Sequence, residues 1–300
     1  MDQTAVDALA ADFDLVYDPQ LVDREDALLA AVASARALIV RNRTQVRGEL
    51  LQAASALRVV GRLGVGLDNI DLEACERCAI EVCPATGAND AAVAEYVIAT
   101  AMILLRDAYM AGPEVIAGSW PRQRCMGREI GGKVLGLIGF GGIARETAQR
   151  ARVLGMTVIA HDPFVDATDP AWNGVRRSQL EALLAQADII SLHLPLTEQT
   201  KGLLDTTMLE RMKKGAVLIN TARGGIVDED AVIAALRAGN LAGAAFDVFD
   251  TEPVTAADGA RFADVPNLVL TPHIAGVTQE SNVRVSAVTA DNVREVLSKK

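Results

Sequence analysis

The chain has 300 residues, half of them hydrophobic, and its 39 acidic against 29 basic residues give a formal net charge of −10. A chain of this length usually folds as two domains or as one large one, and so high an apolar content excludes wholesale disorder. The acidic balance argues against binding to a phosphate backbone, which needs a basic surface, so nucleic acid is not an expected partner.

Neither the amino terminus nor any apolar run predicts a membrane segment. The chain opens on an acidic segment rather than a signal peptide. The most apolar helical run, 91–105, contains Glu95 and is shorter than a membrane span. We therefore expect a cytoplasmic protein that makes no contact with a membrane.

Three cysteines lie close together in sequence and raise the question of a metal site. They are Cys75, Cys78 and Cys83, and no histidine lies near them. A zinc site needs four ligands at recognisable spacing, whereas buried, reduced thiols are common. The sequence therefore predicts no metal and leaves the role of this cluster open.

The predicted elements alternate between short apolar strands and longer amphipathic helices, which is typical of α/β proteins with parallel sheets. A mixed helix at the amino terminus precedes strands at 37–40 and 58–60, a long apolar helix at 89–107 and an irregular segment at 112–132. Later strands are predicted at 134–138, 157–161, 188–192, 216–220, 244–247 and 268–271. Helices are predicted at 142–154, 180–186, 229–238 and 279–297.

This order of elements predicts a Rossmann-type, doubly wound parallel sheet. The last helix is long enough to return to the amino-terminal part of the chain. We therefore expect a nucleotide-binding domain, 93–277, inserted into a discontinuous, flavodoxin-like α/β domain made of 1–92 and 278–300. The second domain is expected to bind substrate.

A glycine-rich turn carries the clearest chemical information. The segment GFGGIA begins at Gly139 and lies between a predicted strand and a predicted helix. Gly139 permits the tight turn, and Gly141, followed by Gly142 and Ile143, lets backbone amides approach a pyrophosphate. Asp162 ends the next strand and can accept hydrogen bonds from the adenosine ribose. Because a carboxylate there repels a 2′-phosphate, the pattern predicts NAD rather than NADP.

Three polar residues follow later strands of the same unit, where an open α/β sheet places its ligand crevice. Arg223 suits a substrate carboxylate, which a guanidinium binds through two hydrogen bonds. His273 with a carboxylate partner, Glu252, can donate a proton near neutral pH. Each residue alone has an ordinary interpretation: a surface ion pair, a turn acid or a packed histidine. Their combination with a dinucleotide fold favours catalysis.

Several motifs together resemble the D-2-hydroxyacid dehydrogenases, most closely the phosphoglycerate dehydrogenase branch. They are VVGRLGVGLDNID from Val59, VAE from Val93, HLPLT from His193, DVFDTEP from Asp247 and PHIAG from Pro272. The similarity extends from about residue 13 to the carboxyl terminus. It implies an NAD-dependent oxidoreductase that transfers a hydride between nicotinamide and a small 2-hydroxy or 2-keto acid.

The resemblance also implies roles for individual residues. Arg223 orients the substrate carboxylate and polarises the carbonyl, protonated His273 delivers the proton, and Glu252 holds His273. Asp247 faces the nicotinamide side of the cofactor. Further cofactor contacts are expected from Pro195, Thr200, Thr221, Ala222 and Gly276. Backbone amides near Val65 and Gly66 are expected to bind the substrate carboxylate.

The chain departs from its relatives at several points. Many of them have Arg at the position of Gly142, so a cofactor phosphate contact is reduced here to a backbone amide. Relatives begin with a strand before the first helix, so we expect either a shortened start or a missing edge strand. No amino-acid-sensing domain is predicted. A homodimer is expected, with Trp120 and Met126 of the irregular segment contributing to its interface.

Two arginines bear on the substrate. Arg41 and Arg62 match basic positions of the phosphoglycerate branch, and Arg43 can join them if its side chain turns inward. A second cationic patch favours a substrate with a distal anion, 3-phosphoglycerate first. The alternatives are 3-sulfolactate and a glyoxylate or hydroxypyruvate reductase. The arginines can instead form surface ion pairs with Asp68 or Asp71.

A different class of function is an NAD(H)-sensing, corepressor-like binding protein, because the same fold serves that purpose. That function predicts added interaction tails, and we expect none here. Formate dehydrogenase is disfavoured, because the partner of its catalytic histidine is typically Gln where this chain has Glu252.

Overall fold

The computed structural model of the protein describes residues 1–106 and 108–299. It consists of two compact units. Unit 1 contains Met1–Asn89 and the chain from Val277 onward, and unit 2 contains Asp90–Gly276. The sequence analysis predicted the two domain boundaries at 92/93 and 277/278, and the structure divides the chain at 89/90 and 276/277.

The strands are β1 (Ala37–Val40), β2 (Val59–Arg62), β3 (Glu81–Pro84), β4 (Val134–Ile138), β5 (Thr157–His161), β6 (Arg176–Arg177), β7 (Ile189–Leu192), β8 (Ala216–Asn220), β9 (Leu241–Phe246) and β10 (Leu268–Leu270). The helices are α1 (Gln3–Asp12), α2 (Glu25–Val32), α3 (Glu49–Ala53), α4 (Leu72–Arg77), α5 (Asp90–Arg106), α6 (Gly112–Ile116), α7 (Gly142–Val153), α8 (Leu180–Gln186), α9 (Thr206–Glu210), α10 (Glu229–Arg237), α11 (Ala256–Gly259) and α12 (Gln279–Ser298). Short 3₁₀ turns connect some of them.

Unit 1 is built on a parallel sheet of three strands in the order β1-β2-β3. Helix α12 packs on one face, where Val293 and Val296 cover Val59 of β2. Leu50 of α3 and Val60 belong to the cluster on the other face. In the part of the chain that the structure describes, no strand precedes α1.

Unit 2 contains a parallel sheet of seven strands in the order β10-β9-β8-β7-β4-β5-β6. Strand β4 therefore has β7 on one side and β5 on the other. The chain winds outward from β4 in one direction and then returns to continue in the other. The carboxyl ends of β4 and β7 form the topological switch point, where open α/β sheets bind their ligands.

Both faces of this sheet are covered, and its central strands are accordingly mostly apolar. Ile190 and Leu218 face the cluster that contains Leu184 of α8 and residues of α10. On the other face, Ile189 packs with residues of α5 and α7, among them Val97. The doubly wound Rossmann-type fold predicted from the sequence is confirmed.

The strands that the sequence analysis missed are those without an apolar run. Strand β3 begins with Glu81 and ends with Pro84, and β6 consists of two arginines. Strand β9 begins at Leu241, whereas the sequence analysis predicted a start at residue 244. The earlier residues were missed because Gly243 interrupts the apolar pattern. No helix within the described ranges is long and apolar enough to cross a membrane.

Truncation of Leu218, at the centre of β8, is expected to destabilise unit 2. The side chain is fully buried, and Leu218→Ala leaves a cavity in a close-packed interior. We expect a loss of about 2–5 kcal/mol in the free energy of unfolding, measured by urea denaturation. Val153→Ala, where the side chain is 88% exposed, is the control and should cost less than about 0.5 kcal/mol. Equal losses would contradict the burial argument.

Candidate active site

The glycine-rich turn connects β4 to α7 at the switch point. Gly139 has a φ of +89°, and a Cβ at this position would lie 2.2 Å from the carbonyl oxygen of His193. Only glycine fits there, because the chain passes directly against the end of β7. Gly141 precedes α7 and has open space beside it, whereas Gly142 and Ile143 form the first turn of the helix.

Asp162, just after β5, holds the turn from the side. Its carboxylate accepts a hydrogen bond of 2.8 Å from the N–H of Phe140 and one of 2.9 Å from the N–H of Phe164. The side chain is half-buried, so part of its acceptor capacity faces solvent. Asp162 thus holds the turn in shape, and its role as acceptor for the ribose stays a prediction.

These residues fit NAD. Unpaired N–H groups and the positive end of the dipole of α7 make the helix start a binding site for a pyrophosphate. Gly141 leaves room for close approach, and Asp162 supplies a carboxylate at the position where a ribose hydroxyl is bound in this fold. When bound, NAD supplies or accepts the hydride at its nicotinamide ring.

An aromatic stack behind the turn was not found from the sequence. The ring of Phe140, within the turn, lies on Trp172 with a centroid separation of 4.6 Å. Arg145 donates through Nε to the Phe140 carbonyl at 2.9 Å, and Arg177 lies 5.8 Å from the Trp172 ring. The backbone of the turn is therefore held by its neighbours on several sides. No short motif marks Trp172, because the loop that carries it has no regular period.

Arg223 lies in the loop after β8. Asn220, buried at the end of that strand, accepts from the N–H of Ala222 at 3.0 Å and donates to the carbonyl of Arg223 at 2.9 Å. Gly224 passes so close to Phe249 that a Cβ would lie 1.9 Å from the Phe249 oxygen. This packing fixes the loop from which the guanidinium projects.

His273 and Glu252 form a hydrogen-bonded pair. Nδ1 of His273 lies 2.7 Å from Oε2 of Glu252, and the other carboxylate oxygen accepts from the N–H of Phe249 at 3.0 Å. The side chain of His273 is 42% exposed, so the ring can be reached by a ligand while its Nδ1 is held. The spatial pairing predicted from the sequence is present in the structure.

The segment that carries His273 is held by Asp247. This carboxylate is almost completely buried and accepts from the hydroxyl of Thr271 at 2.6 Å and from the N–H groups of Ile274 and Ala275 at 2.8 Å. The N–H of His273 donates to the Asp247 carbonyl at 2.8 Å. Asp247 thus supports the loop that carries His273, and its contact with the nicotinamide side of the cofactor stays a prediction.

The electrostatic surroundings keep Glu252 ionised. Burial by itself raises the pKa of Glu252, but the hydrogen bonds from His273 and Phe249 and the charges of His273 and Arg223 outweigh it and lower the pKa below its ordinary value. Glu252 therefore remains a carboxylate throughout the neutral range. The influence of Arg223 on Glu252 also means that the structure brings the three predicted catalytic side chains into one electrostatic environment.

The remaining predicted cofactor residues border the same crevice. The hydroxyl of Thr200 donates to the carbonyl of Pro195 at 2.7 Å and closes the loop after β7. Ala222 is buried, and the hydroxyl of Thr221 is buried without a hydrogen-bond partner within the described residues. Nε2 of His193 is likewise buried without a hydrogen-bond partner within the described residues. Burial lowers the pKa of His193 to about 3. His193 is therefore neutral.

Gly276 is the last residue of unit 2. Gly276 follows Ala275, whose N–H donates to the Asp247 carboxylate. Gly276 therefore belongs to the loop that Asp247 holds in place.

The predicted substrate-binding residues Arg41, Arg62, Val65 and Gly66 belong to unit 1. Arg62 lies over Gly64, where a Cβ would be 2.7 Å from its Nη1, and Nη1 donates to the carbonyl of Leu63 at 2.6 Å. The guanidinium is therefore next to the loop that contains Val65 and Gly66, both half-buried.

The other two arginines are engaged elsewhere. Arg41 is exposed and donates to the side-chain oxygen of Asn282 at 2.6 Å. Arg43 forms an ion pair with Asp23, so its side chain does not turn toward Arg62 as one option in the sequence analysis allowed. Asp71 caps α4 through the N–H of Ala74.

The cysteines do not form a metal centre. Cys75 is buried, Cys78 is exposed and Cys83 is intermediate, and all are free thiols. Burial, ahead of nearby carboxylates, raises the pKa of both Cys75 and Cys83, so neither is an activated thiolate. Across the described residues, no group of three or more potential ligands could hold a metal ion.

A dinucleotide-binding turn beside an arginine and a His–Glu pair defines the class of nicotinamide-dependent dehydrogenases. The sequence profile of the D-isomer specific 2-hydroxyacid dehydrogenase NAD-binding domain matches residues 98–275. The chain belongs to this family, and it is an NAD-dependent 2-hydroxyacid dehydrogenase.

Individual relatives agree with this assignment. The (S)-sulfolactate dehydrogenase of Chromohalobacter salexigens is 55% identical over 298 residues, which cover 99% of this chain and 96% of that protein. The D-3-phosphoglycerate dehydrogenase of Archaeoglobus fulgidus is 40% identical over 91% of this chain, but the chain spans only 51% of its length. The structure of a glyoxylate reductase from Paecilomyes thermophila superimposes with a TM-score of 0.87 at 29% identity, covering 99% of this chain and 92% of that one.

Removal of the Trp172 ring is expected to weaken cofactor binding. Trp172→Ala takes away the surface on which Phe140 stacks, so the turn is no longer held in its binding shape. We expect KM for NAD to rise about two- to twelvefold with kcat nearly unchanged, because a stacking contact contributes roughly 0.5–1.5 kcal/mol beyond its buried area. Trp172→Phe should restore most of the affinity, and equal effects of Ala and Phe would contradict a stacking role.

Proposed function

We propose that the substrate is (S)-3-sulfolactate, oxidised at its 2-hydroxyl group to the keto acid. The observation that carries this proposal is the 55% identity, along almost the whole of both chains, to a protein named (S)-sulfolactate dehydrogenase. The phosphoglycerate dehydrogenases, at about 40% identity, match over only half of their own length. This similarity favours the substrate that the sequence analysis gives as an alternative over 3-phosphoglycerate.

The stereochemical names are consistent with each other. In D-lactate the carboxylate outranks the methyl group at C2, whereas in 3-sulfolactate the sulfur-bearing CH₂ outranks the carboxylate. The descriptor therefore changes while the spatial arrangement stays the same, so (S)-sulfolactate has the arrangement of D-lactate. A family that is specific for the D isomer thus accommodates an (S)-sulfolactate without inversion of its site.

The charges of unit 1 support a substrate with one distal anionic charge. Arg43 forms an ion pair with Asp23 and Arg41 donates to Asn282, whereas the guanidinium of Arg62 lies directly beside the glycine loop. A sulfonate carries a single negative charge, whereas a phosphate monoester carries more at neutral pH. We assign the sulfonate to Arg62 on this basis.

The catalytic roles follow from the chemistry of unit 2. In the oxidative direction His273 removes the proton of the 2-hydroxyl group, and in the reductive direction protonated His273 returns it to the keto oxygen. Arg223 binds the carboxylate and stabilises negative charge that develops on the oxygen. Glu252 orients the ring through Nδ1 and stabilises its protonated form.

Neutralisation of Glu252 is expected to move the pH profile. The pKa of Glu252 is lowered, so the group stays charged across the assay range and stabilises protonated His273 throughout. Without that charge the protonated ring of His273 loses its electrostatic partner. In Glu252→Gln, keto-acid reduction, which needs protonated His273, should therefore begin to fall at a lower pH. An unchanged pH–rate profile would remove Glu252 from the mechanism.

The substrate proposal is tested with a panel followed at the NADH absorbance. We expect the highest kcat/KM with (S)-sulfolactate, ahead of D-3-phosphoglycerate, D-glycerate and D-lactate. Arg62→Ala should raise KM for sulfolactate by about ten- to a hundredfold, the size of a lost charge-assisted hydrogen bond, and leave KM for lactate nearly unchanged.

Arg43→Ala is the matched control for this substitution. It removes a guanidinium from the same unit, but one that is paired with Asp23, so sulfolactate kinetics should not change. A preference for 3-phosphoglycerate would overturn the sulfolactate proposal, and equal weakening of all substrates by Arg62→Ala would make Arg62 a structural residue.

A homodimer formed through unit 2 is part of the same proposal. The irregular segment exposes the large apolar side chains of Val115, Ile116, Trp120 and Met126, and Tyr109 and Met110 just before it are also exposed. Concentrations of exposed apolar surface of this kind mark protein interfaces. No residue of 112–132 is buried, so this segment has no core of its own.

A charge at the centre of this patch is expected to dissociate the dimer. Ile116 is 89% exposed, and Ile116→Asp would bury a carboxylate in an apolar interface. We expect light scattering at micromolar concentration to give a dimer for the wild type and a monomer for the variant. Val153→Asp, equally exposed but outside the segment, should remain dimeric. A monomeric wild type would refute the proposal.

A further inference from the structure

The carboxylate of Asp90 lies directly against the glycine-rich turn. Asp90 is the first residue of α5, and Gly142 is the first residue of α7. A Cβ built on Gly142 would lie 2.1 Å from Oδ2 of Asp90, which is far closer than any real contact. The carboxylate therefore occupies the space that a side chain at position 142 would need.

This position is next to the amides that receive the pyrophosphate. From standard backbone dimensions, Oδ2 of Asp90 lies within roughly 5 Å of the Gly142 nitrogen. Asp90 is half-buried, and no described residue donates a hydrogen bond to its carboxylate or forms an ion pair with it. Burial, and to a smaller extent the charge of Glu146, raise the pKa of Asp90, as expected for a carboxylate without a compensating partner.

We propose that Asp90 sets the affinity for NAD(H), lowering it by holding a negative charge beside the pyrophosphate site. Like charges at this separation repel, and the repulsion is stronger where both are partly shielded from water. Affinity differences within one site are expressed mainly in the dissociation rate. Asp90 therefore speeds the release of the cofactor, a step that limits turnover in many enzymes.

A structural role for Asp90 predicts something different. An acidic residue in the first turn stabilises a helix, so its removal would loosen α5 and weaken cofactor binding. Asn and Ser are also favourable at helix starts, which allows the charge to be removed while the helix is kept. The sign of the change in affinity thus separates the two roles.

The test measures NADH binding without substrate, by fluorescence titration at pH 8 and low ionic strength. In Asp90→Asn we expect the dissociation constant to fall about three- to tenfold, with a matching fall in the dissociation rate by stopped-flow displacement. Glu146→Gln is the control, because it removes a neighbouring acid that is already paired with Arg150 at 2.5 Å. Its dissociation constant should stay within about twofold of wild type.

A double-mutant cycle then tests the contact itself. Gly142→Ala adds a methyl group that displaces the Asp90 carboxylate, so it should tighten NADH binding in the wild-type background. In the Asp90→Ala background there is no carboxylate to displace, and the same change should have no effect. The proposal is overturned if Asp90→Asn leaves NADH affinity unchanged or weakens it, or if Gly142→Ala acts equally in both backgrounds. Asp90→Ser replaces Asp90→Asn if the latter fails to fold.

Discussion

The buried carboxylate of Asp247 is the interaction on which the catalytic geometry depends. A charge in the interior is tolerated only when hydrogen bonds satisfy it, and here the donors are Thr271, Ile274 and Ala275. Meeting those donors forces the chain back over the end of β9 and gives His273 a φ of +53°. The imidazole thereby faces Glu252, so a buried carboxylate outside the His–Glu pair fixes the position of the proposed proton donor.

The second constraint is the close approach of two chain segments at the switch point. Gly139 runs against the carbonyl of His193, and Gly224 runs equally close to Phe249. Both contacts exclude a side chain, and both lie at carboxyl ends of strands. They bring the cofactor turn and the arginine loop to one edge of a single parallel sheet, which is the edge where such sheets bind their ligands.

Local charge, rather than net charge, explains how an acidic protein binds an anionic cofactor and an anionic substrate. Helix dipoles, backbone amides and a few arginines supply the positive potential at short range. In unit 1 Arg43 is paired with Asp23, whereas Arg62 lies beside Gly64, and this position is the basis for proposing that Arg62 binds the sulfonate. In unit 2 the negative charge of Asp90 lies beside the backbone amides of the glycine-rich turn. We infer that this charge lowers the affinity for NAD(H) and speeds its dissociation.

The sequence by itself determined the parts of this protein that depend on local patterns. Apolar runs separated by helices predicted the doubly wound sheet, and GFGGIA followed by Asp162 predicted the NAD site, because strand, turn and helix starts are specified by adjacent residues. Only the tertiary structure decided the supports: Trp172 behind Phe140, Asn220 under Arg223, and Asp90 against Gly142. Trp172 and Phe140, like Asp90 and Gly142, are distant in sequence and leave no periodic pattern. Asn220 and Arg223 are only three residues apart, but no motif marks the hydrogen bond between them. The partner of Arg43 was likewise decided by folding, because a strand-end side chain can turn to either face.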